Sequence, residues 1–185
     1  MPLKTKTKDY SIYENTARVF WALFRPIFKY SPRPMFFFRN FLLTIFGAKI
    51  GKNVKIYGSA KIFFPWNFEI GAGSSVGENA LIYNLGYVKI GTNTTISQRV
   101  HVCAGTHDYR YLEMPLIREK ITIGNNCWIC ADSFLCPGVK IGDFSIVAAN
   151  STVSKNILDW DIVAGSPAKF IKKRIILTDN SPYEV

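Results

Sequence analysis

Histidine is almost absent from this chain. Its 185 residues include two, His101 and His107, and only 13 Asp and Glu against 23 Lys and Arg. Two imidazoles cannot build a histidine-rich metal centre, and a step needing a neutral-pH base has few side chains to draw on. The four cysteines (Cys103, Cys127, Cys130, Cys136) carry no pattern of a disulfide-stapled secreted domain. Cys127-Trp128-Ile129-Cys130 has CxxC spacing, but no second pair or neighbouring histidines complete a zinc set, so no metal is expected. Long apolar runs are missing too. The aromatic-rich stretch 19–46 is broken by Arg25, Pro26, Lys29, Pro32, Arg33, Pro34 and Arg39, short of the roughly 20 residues a spanning helix needs. The opening Met1-Pro2-Leu3-Lys4 is basic without the apolar core and cleavage site of a secretory signal. These absences point to a reducing, cytoplasmic setting.

The net charge of +10 invites a nucleic-acid reading, but its distribution argues against one. Residues 1–46 carry +6, residues 47–168 carry +2 and residues 169–185 carry +2. A nucleic-acid module more often places its excess charge on the folded body, so no nucleic-acid partner is expected. With 48% hydrophobic residues the chain can bury a sizeable core.

What the chain does have is a repeat. An aliphatic residue returns every six positions at Ile50, Ile56, Ile62, Ile70, Val76, Ile82, Ile90, Ile96 and Val102, with a two-residue insertion after each three. The pattern resumes at Ile123, Ile129, Leu135, Ile141, Val147 and Val153. Small residues follow most of these, as at Gly51, Gly71, Gly77, Gly91, Gly124 and Gly142, and small or β-branched ones recur four positions on. A period of six fits neither an amphipathic helix nor an alternating strand. It fits a short strand, a bend and the next strand, three times around a prism, with each aliphatic stacked on its equivalent about 4.8 Å away. The fold class is therefore all-β, a parallel β-solenoid, with a short helical N-terminal segment and a short C-terminal tail or helix. Residues 1–46 form the aromatic cap, 47–164 the β-helix and 165–185 a basic tail. Residues 108–120 break the period and must extrude as a loop, and loops on a rigid scaffold are where function concentrates.

The repeat, Thr106-His107-Asp108 at the mouth of the loop, and the run from Ile123-Gly124-Asn125 to Gly165-Ser166-Pro167-Ala168-Lys169 resemble the hexapeptide-repeat acyltransferases. Arg39-Asn40-Phe41-Leu42, Phe64-Pro65-Trp66-Asn67 and Ile96-Ser97-Gln98 look like its colanic-acid-biosynthesis branch. The resemblance implies that the solenoid is a left-handed parallel β-helix. It also implies an acetyl-CoA-dependent O-acetyltransferase acting on a sugar or lipid-linked glycan, as a homotrimer with each active site between two subunits. Asn150 departs from it, standing where glycine is common. The γ-class carbonic anhydrases share the implied fold but need three metal-binding histidines, one more than this chain has.

An alcohol is un-ionised at neutral pH, so acetyl transfer to it needs a general base, and His is the natural choice. His107 matches the family's catalytic histidine; His101 ends a regular repeat and reads as structural. Asn79 is an oxyanion candidate by resemblance, or a turn residue. Asn84 faces the acceptor sugar or stabilises its turn, and Asp108 orients the imidazole or points away. For acetyl-CoA the resemblance implies Ala131 and Ala149 along the pantetheine arm, Ser154 and Lys155 nearby, and Lys169 and Lys172 toward the nucleotide phosphates. The cysteines occupy small positions of the repeat, which explains them without covalent catalysis. Transfer to an amino-sugar nucleotide or a small molecule stays open, as does a non-catalytic trimeric scaffold. The aromatic segment Thr16–Phe46 predicts two short helices split at Ser31-Pro32-Arg33-Pro34. They cap the bare first coil, dock on an anionic bilayer at the inner face of the plasma membrane, or do both.

Overall fold

The computed structural model describes residues 10–177, so the basic residues 1–8 and the last part of the expected tail, 178–185, lie outside the described residues. Three sheets wind into a triangular parallel β-helix of about six coils. The first face stacks Lys49–Ile50, Phe68–Ile70, Val88–Ile90, Ile121–Ile123 and Lys140–Ile141. The second stacks Lys55–Ile56, Ser75–Val76, Thr95–Ile96, Trp128–Ile129, Ile146–Val147 and Asp161–Ala164. The third stacks Lys61–Ile62, Leu81–Tyr83, His101–Cys103, Phe134–Leu135 and Thr152–Val153.

The hexad aliphatics are register partners. Ile50, Ile70, Ile90, Ile123 and Ile141 form one column. Ile56, Val76, Ile96, Ile129, Val147 and Val163 form the second, and Ile62, Ile82, Val102, Leu135 and Val153 the third. Apart from half-buried Ile50, every member is buried. Beside the columns runs a buried polar ladder. Ser74 Oγ donates to the Gly91 carbonyl (2.7 Å) and accepts the Thr94 N–H (2.9 Å). Thr94 Oγ1 donates to the Gly124 carbonyl (2.7 Å) and accepts the Cys127 N–H (3.1 Å). The Cys127 thiol takes the next rung, 3.0 Å from the Gly142 carbonyl, and burial pushes its pKa up. It is a hydroxyl substitute in a structural ladder.

The bends use two different devices. Where glycine follows the aliphatic, the next coil's backbone lies against it; a Cβ on Gly71 would sit 2.6 Å from the Gly91 carbonyl carbon. The left-handed backbone falls two residues later, at Asn53, Asn79, Asn93, Asn126 and Asn150, but also at Arg99, Phe144 and Trp160. Asn tolerates this region better than other non-glycine residues. Asn150 is thus an ordinary occupant of its bend.

The two ends of the prism are closed by different means. At the start, α1 (Ile12–Tyr30) and α2 (Phe36–Ile45) flank the expected Pro-rich break. Ser11 and Glu14 cap α1 reciprocally. Both helices satisfy bare carbonyls of the first coil with side chains. Trp21 Nε1 donates to Ile62 (3.0 Å), Arg39 Nε to Ile56 (2.7 Å) and Asn40 Nδ2 to Val54 (2.8 Å). Capping is therefore what the helices do for the fold. At the other end the stretch expected as a tail or short helix is a strand. Lys169–Lys173 pairs antiparallel with Asp161–Ala164, because a backbone laid along the last strand satisfies its edge directly. Lys173 Nζ reaches Asp161 Oδ1 (2.6 Å) and the Asp159 carbonyl (2.8 Å). Arg174 donates to the carbonyls of Asn126 (2.7 Å) and Phe144 (3.1 Å).

Candidate active site

The break in the repeat leaves the prism at the edge between the third and first faces. It is a hairpin whose arms, Gly105–His107 and Leu116–Arg118, pair antiparallel with His107 opposite Leu116. His107 ends the outgoing arm and is exposed. Its Nδ1 lies 2.6 Å from the Met114 carbonyl oxygen. A carbonyl only accepts, so Nδ1 carries a proton, and in the neutral imidazole the lone pair stands on Nε2. That tautomer is the one able to take a proton from a substrate hydroxyl.

Met114 presents its carbonyl from a left-handed conformation (φ 40°), with its N–H donated to the Tyr111 carbonyl at 3.0 Å. Across the hairpin the Asp108 N–H meets the Pro115 carbonyl at 2.9 Å. The Asp108 carboxylate is held by Arg110 through Nε (2.8 Å) and Nη2 (2.7 Å), which keeps its pKa below the ordinary value. Of the two options for Asp108, the structure shows it turned toward Arg110. Sequence reasoning missed Met114 because its contribution is a backbone group, which no residue type announces. The returning arm is pinned to α1: Arg118 Nη1 sits 2.6 Å from Glu14 Oε1, and its guanidinium stacks 4.8 Å from the Tyr10 ring centroid.

Asn84 is fully buried. Its Oδ1 accepts the N–H groups of Phe63 (3.1 Å) and Phe64 (2.9 Å), and its Nδ2 donates to the Phe64 carbonyl. It holds the bend rather than facing solvent, the second of its two readings. Asn79 is exposed at a left-handed bend (φ 57°) between the second and third faces, a different edge from that of His107. His101 lies on the third face against Phe134 (ring centroids 4.8 Å apart), and burial pushes its pKa down.

The residues expected along acetyl-CoA divide between two edges. Ala131 and Ala149 turn the chain from second face to third on successive coils, and Lys169 joins that edge one coil on, opposite Ala164. Ser154 and Lys155 follow the last third-face strand, on the edge His107 occupies. The basic cluster near the chain end divides as well. Lys173 and Arg174 are bound to the body, whereas Lys169 and Lys172 are exposed and have no partner among the described residues. The chain therefore presents a column of turn residues ending in a free cation on one edge, and an exposed imidazole bonded to the Met114 carbonyl on another.

Comparisons with known proteins identify the family. Residues 120–155 match the family model described as bacterial transferase hexapeptide (six repeats). The chain is 40% identical over 158 residues to the Escherichia coli protein named "Putative colanic acid biosynthesis acetyltransferase WcaF", covering 85% of this chain and 87% of that protein. It is 30% identical to the galactoside O-acetyltransferase of Escherichia coli, over 73% of this chain and 68% of that one. Among solved structures, galactoside acetyltransferase in complex with coenzyme A superposes with a TM-score of 0.83 at 25% identity, covering 96% of this chain and 93% of that one. With columns in register, a hairpin carrying the histidine and a relative of this similarity along most of its length, the chain belongs to the hexapeptide-repeat acetyltransferases.

Proposed function

We propose that the protein transfers the acetyl group of acetyl-CoA to a sugar hydroxyl in exopolysaccharide or surface-glycan assembly, with His107 as general base. The 2.6 Å contact between His107 Nδ1 and the Met114 carbonyl carries this reading, because in the neutral imidazole it puts the lone pair on Nε2. Nε2 takes the hydroxyl proton as the alkoxide oxygen attacks the thioester carbonyl. A backbone N–H or side-chain amide steadies the oxyanion, Asn79 being the side-chain candidate. The C–S bond then breaks and the imidazolium returns its proton to the departing thiolate, giving an ester and free CoA. The four free thiols fit a reducing compartment, so the reaction is assigned to the cytoplasm.

His107 and the Ala131–Ala149–Lys169 column stand on different edges of one prism, so the proposed site joins two protomers of a homotrimer. The base comes from one and the pantetheine edge from the next, with Ser154 and Lys155 beside the base. Lys169 and Lys172 meet the polyanionic nucleotide.

Thiol release from acetyl-CoA with a panel of oligosaccharides tests the reading. The expected product is base-labile, as an ester is and an amide is not. His107→Ala is expected to lower turnover by about 10²–10⁴; full turnover by that variant overturns the role given to it. Lys169→Ala with Lys172→Ala is expected to raise KM for acetyl-CoA with kcat little changed. Co-expressing His107→Ala with Ala149→Trp, each inactive alone, is expected to restore part of the activity, and no restoration overturns the shared site.

A further inference from the structure

The helical cap leaves much of its apolar surface facing water. On α1, Trp21 and Phe28 turn inward, while Phe20, Leu23 and Ile27 are 54%, 66% and 52% exposed. On α2, Leu42 and Leu43 turn inward, while Phe37, Phe41 and Ile45 are 84%, 56% and 62% exposed. An open groove of about 410 Å³ between the helices is lined by Phe20, Ile45 and Trp66. Soluble surfaces rarely show so continuous an apolar patch without a partner.

The charge around this patch identifies the partner. Residues 10–62 carry nine Lys and Arg against one acid, Glu14, whereas residues 63–177 carry eleven against nine. Within the first coil the position before each inward aliphatic is lysine on all three faces: Lys49, Lys55 and Lys61. All three are exposed. The same positions one coil on hold Glu69, Ser75 and Leu81. A basic collar thus encircles the prism only where the helices cap it, with exposed Arg25 and Lys29 on α1 adding to it.

We propose that this end of the molecule docks on an anionic bilayer. The exposed apolar faces of α1 and α2 enter the headgroup–acyl boundary, and the lysine collar lies among the anionic headgroups. An apolar face buried about 5–10 Å with cations above it is the arrangement that holds interfacial helices. Each cation near such a surface strengthens binding about fivefold at low salt. The inference does not rest on the acetyl-transfer reading, since no collar or outer-face residue belongs to the proposed site.

The test is co-sedimentation of the full chain with vesicles of phosphatidylcholine alone or with phosphatidylglycerol added, alongside sedimentation velocity and a thermal melt. Binding is expected to the anionic vesicles only and to weaken as salt is raised. Lys49→Gln, Lys55→Gln and Lys61→Gln together are expected to weaken it at least tenfold. Leu23→Asp with Phe41→Asp is expected to abolish it without changing Tm or assembly. Equal binding to neutral vesicles overturns the part given to the collar. Binding that ignores both sets of substitutions overturns the proposal. So does dissociation of the assembly by Leu23→Asp with Phe41→Asp, which makes the face a contact between copies of this chain.

Discussion

The two ends of the prism face the same problem, a coil whose outer strands lack a neighbour, and they answer it with different chemistry. The first coil is closed by side chains reaching from helices: an indole, a guanidinium and an amide, each on one carbonyl. The last coil is closed by backbone, a strand laid antiparallel on Asp161–Ala164. Side-chain capping concentrates the work in a few residues and leaves the outer helix faces without constraint. Backbone capping spreads it over several bonds and leaves the side chains, Lys169 and Lys172 among them, pointing outward. The contrast teaches that an edge closed by few groups is fragile at named positions, and one closed by many is not.

The largest effect should come from Arg39. Its fully buried guanidinium also donates to the carbonyls of Pro32 (2.9 Å) and Arg33 (2.7 Å) and to Ser31 Oγ (2.9 Å). Burial lowers its pKa, and no carboxylate among the described residues is bonded to it, so carbonyl dipoles balance the charge. Arg39→Ala is expected to cost about 3–5 kcal/mol in urea denaturation, because it strands several buried acceptors at once. Arg39→Lys should recover little, since one ammonium cannot span the fork. A loss below about 1 kcal/mol would break the comparison. Arg174→Ala at the other end, where the strand remains paired, is expected to cost about 1–2 kcal/mol by the same measurement.

Two smaller effects follow pH. The Ser11 backbone N–H, together with Arg118, holds the Glu14 carboxyl below its ordinary value of 4.5. Its contribution is present above about pH 4.5 and is lost as pH falls through the lowered native value. Glu14→Gln should cost under about 1 kcal/mol at pH 7 and remove that acid-side fall in a pH series of melts. His101 is the reverse in type, a cation suppressed by burial. As pH drops from 6.5 toward the lowered native value the unfolded chain takes up the proton first, so stability declines there and levels off below. His101→Phe, kept against Phe134, should flatten that segment; an unchanged profile would show that the third face does not hold the ring neutral.

The three columns were legible because a hexad of aliphatics leaves no other packing, and the hairpin was legible as the place where the hexad fails. His107 stood out through scarcity. The left-handed bend positions were not, because Arg99, Phe144 and Trp160 occupy some of them in place of asparagine. Phe144 and Trp160 share one edge, and their rings stack 4.2 Å apart. The roles of Asn84 and Arg39 were hidden for a different reason. Both are polar residues spent on backbone groups outside their own element, and no local pattern encodes such a partner. The closing strand was illegible because its sequence, Lys169-Phe170-Ile171-Lys172-Lys173, lacks the hexad and is paired only through its backbone.

The hairpin at the His107 edge departs after Ala104, yet the chain re-enters the first face with Val88 opposite Ile121 and Ile90 opposite Ile123, as though nothing had intervened. Registration above and below is therefore insensitive to how much chain is looped out at that corner. The surroundings of the imidazole can be exchanged as a cassette while the stack beneath keeps its order, which, with His107 in its proposed role, makes that corner the place to graft a new acceptor preference onto an unaltered frame.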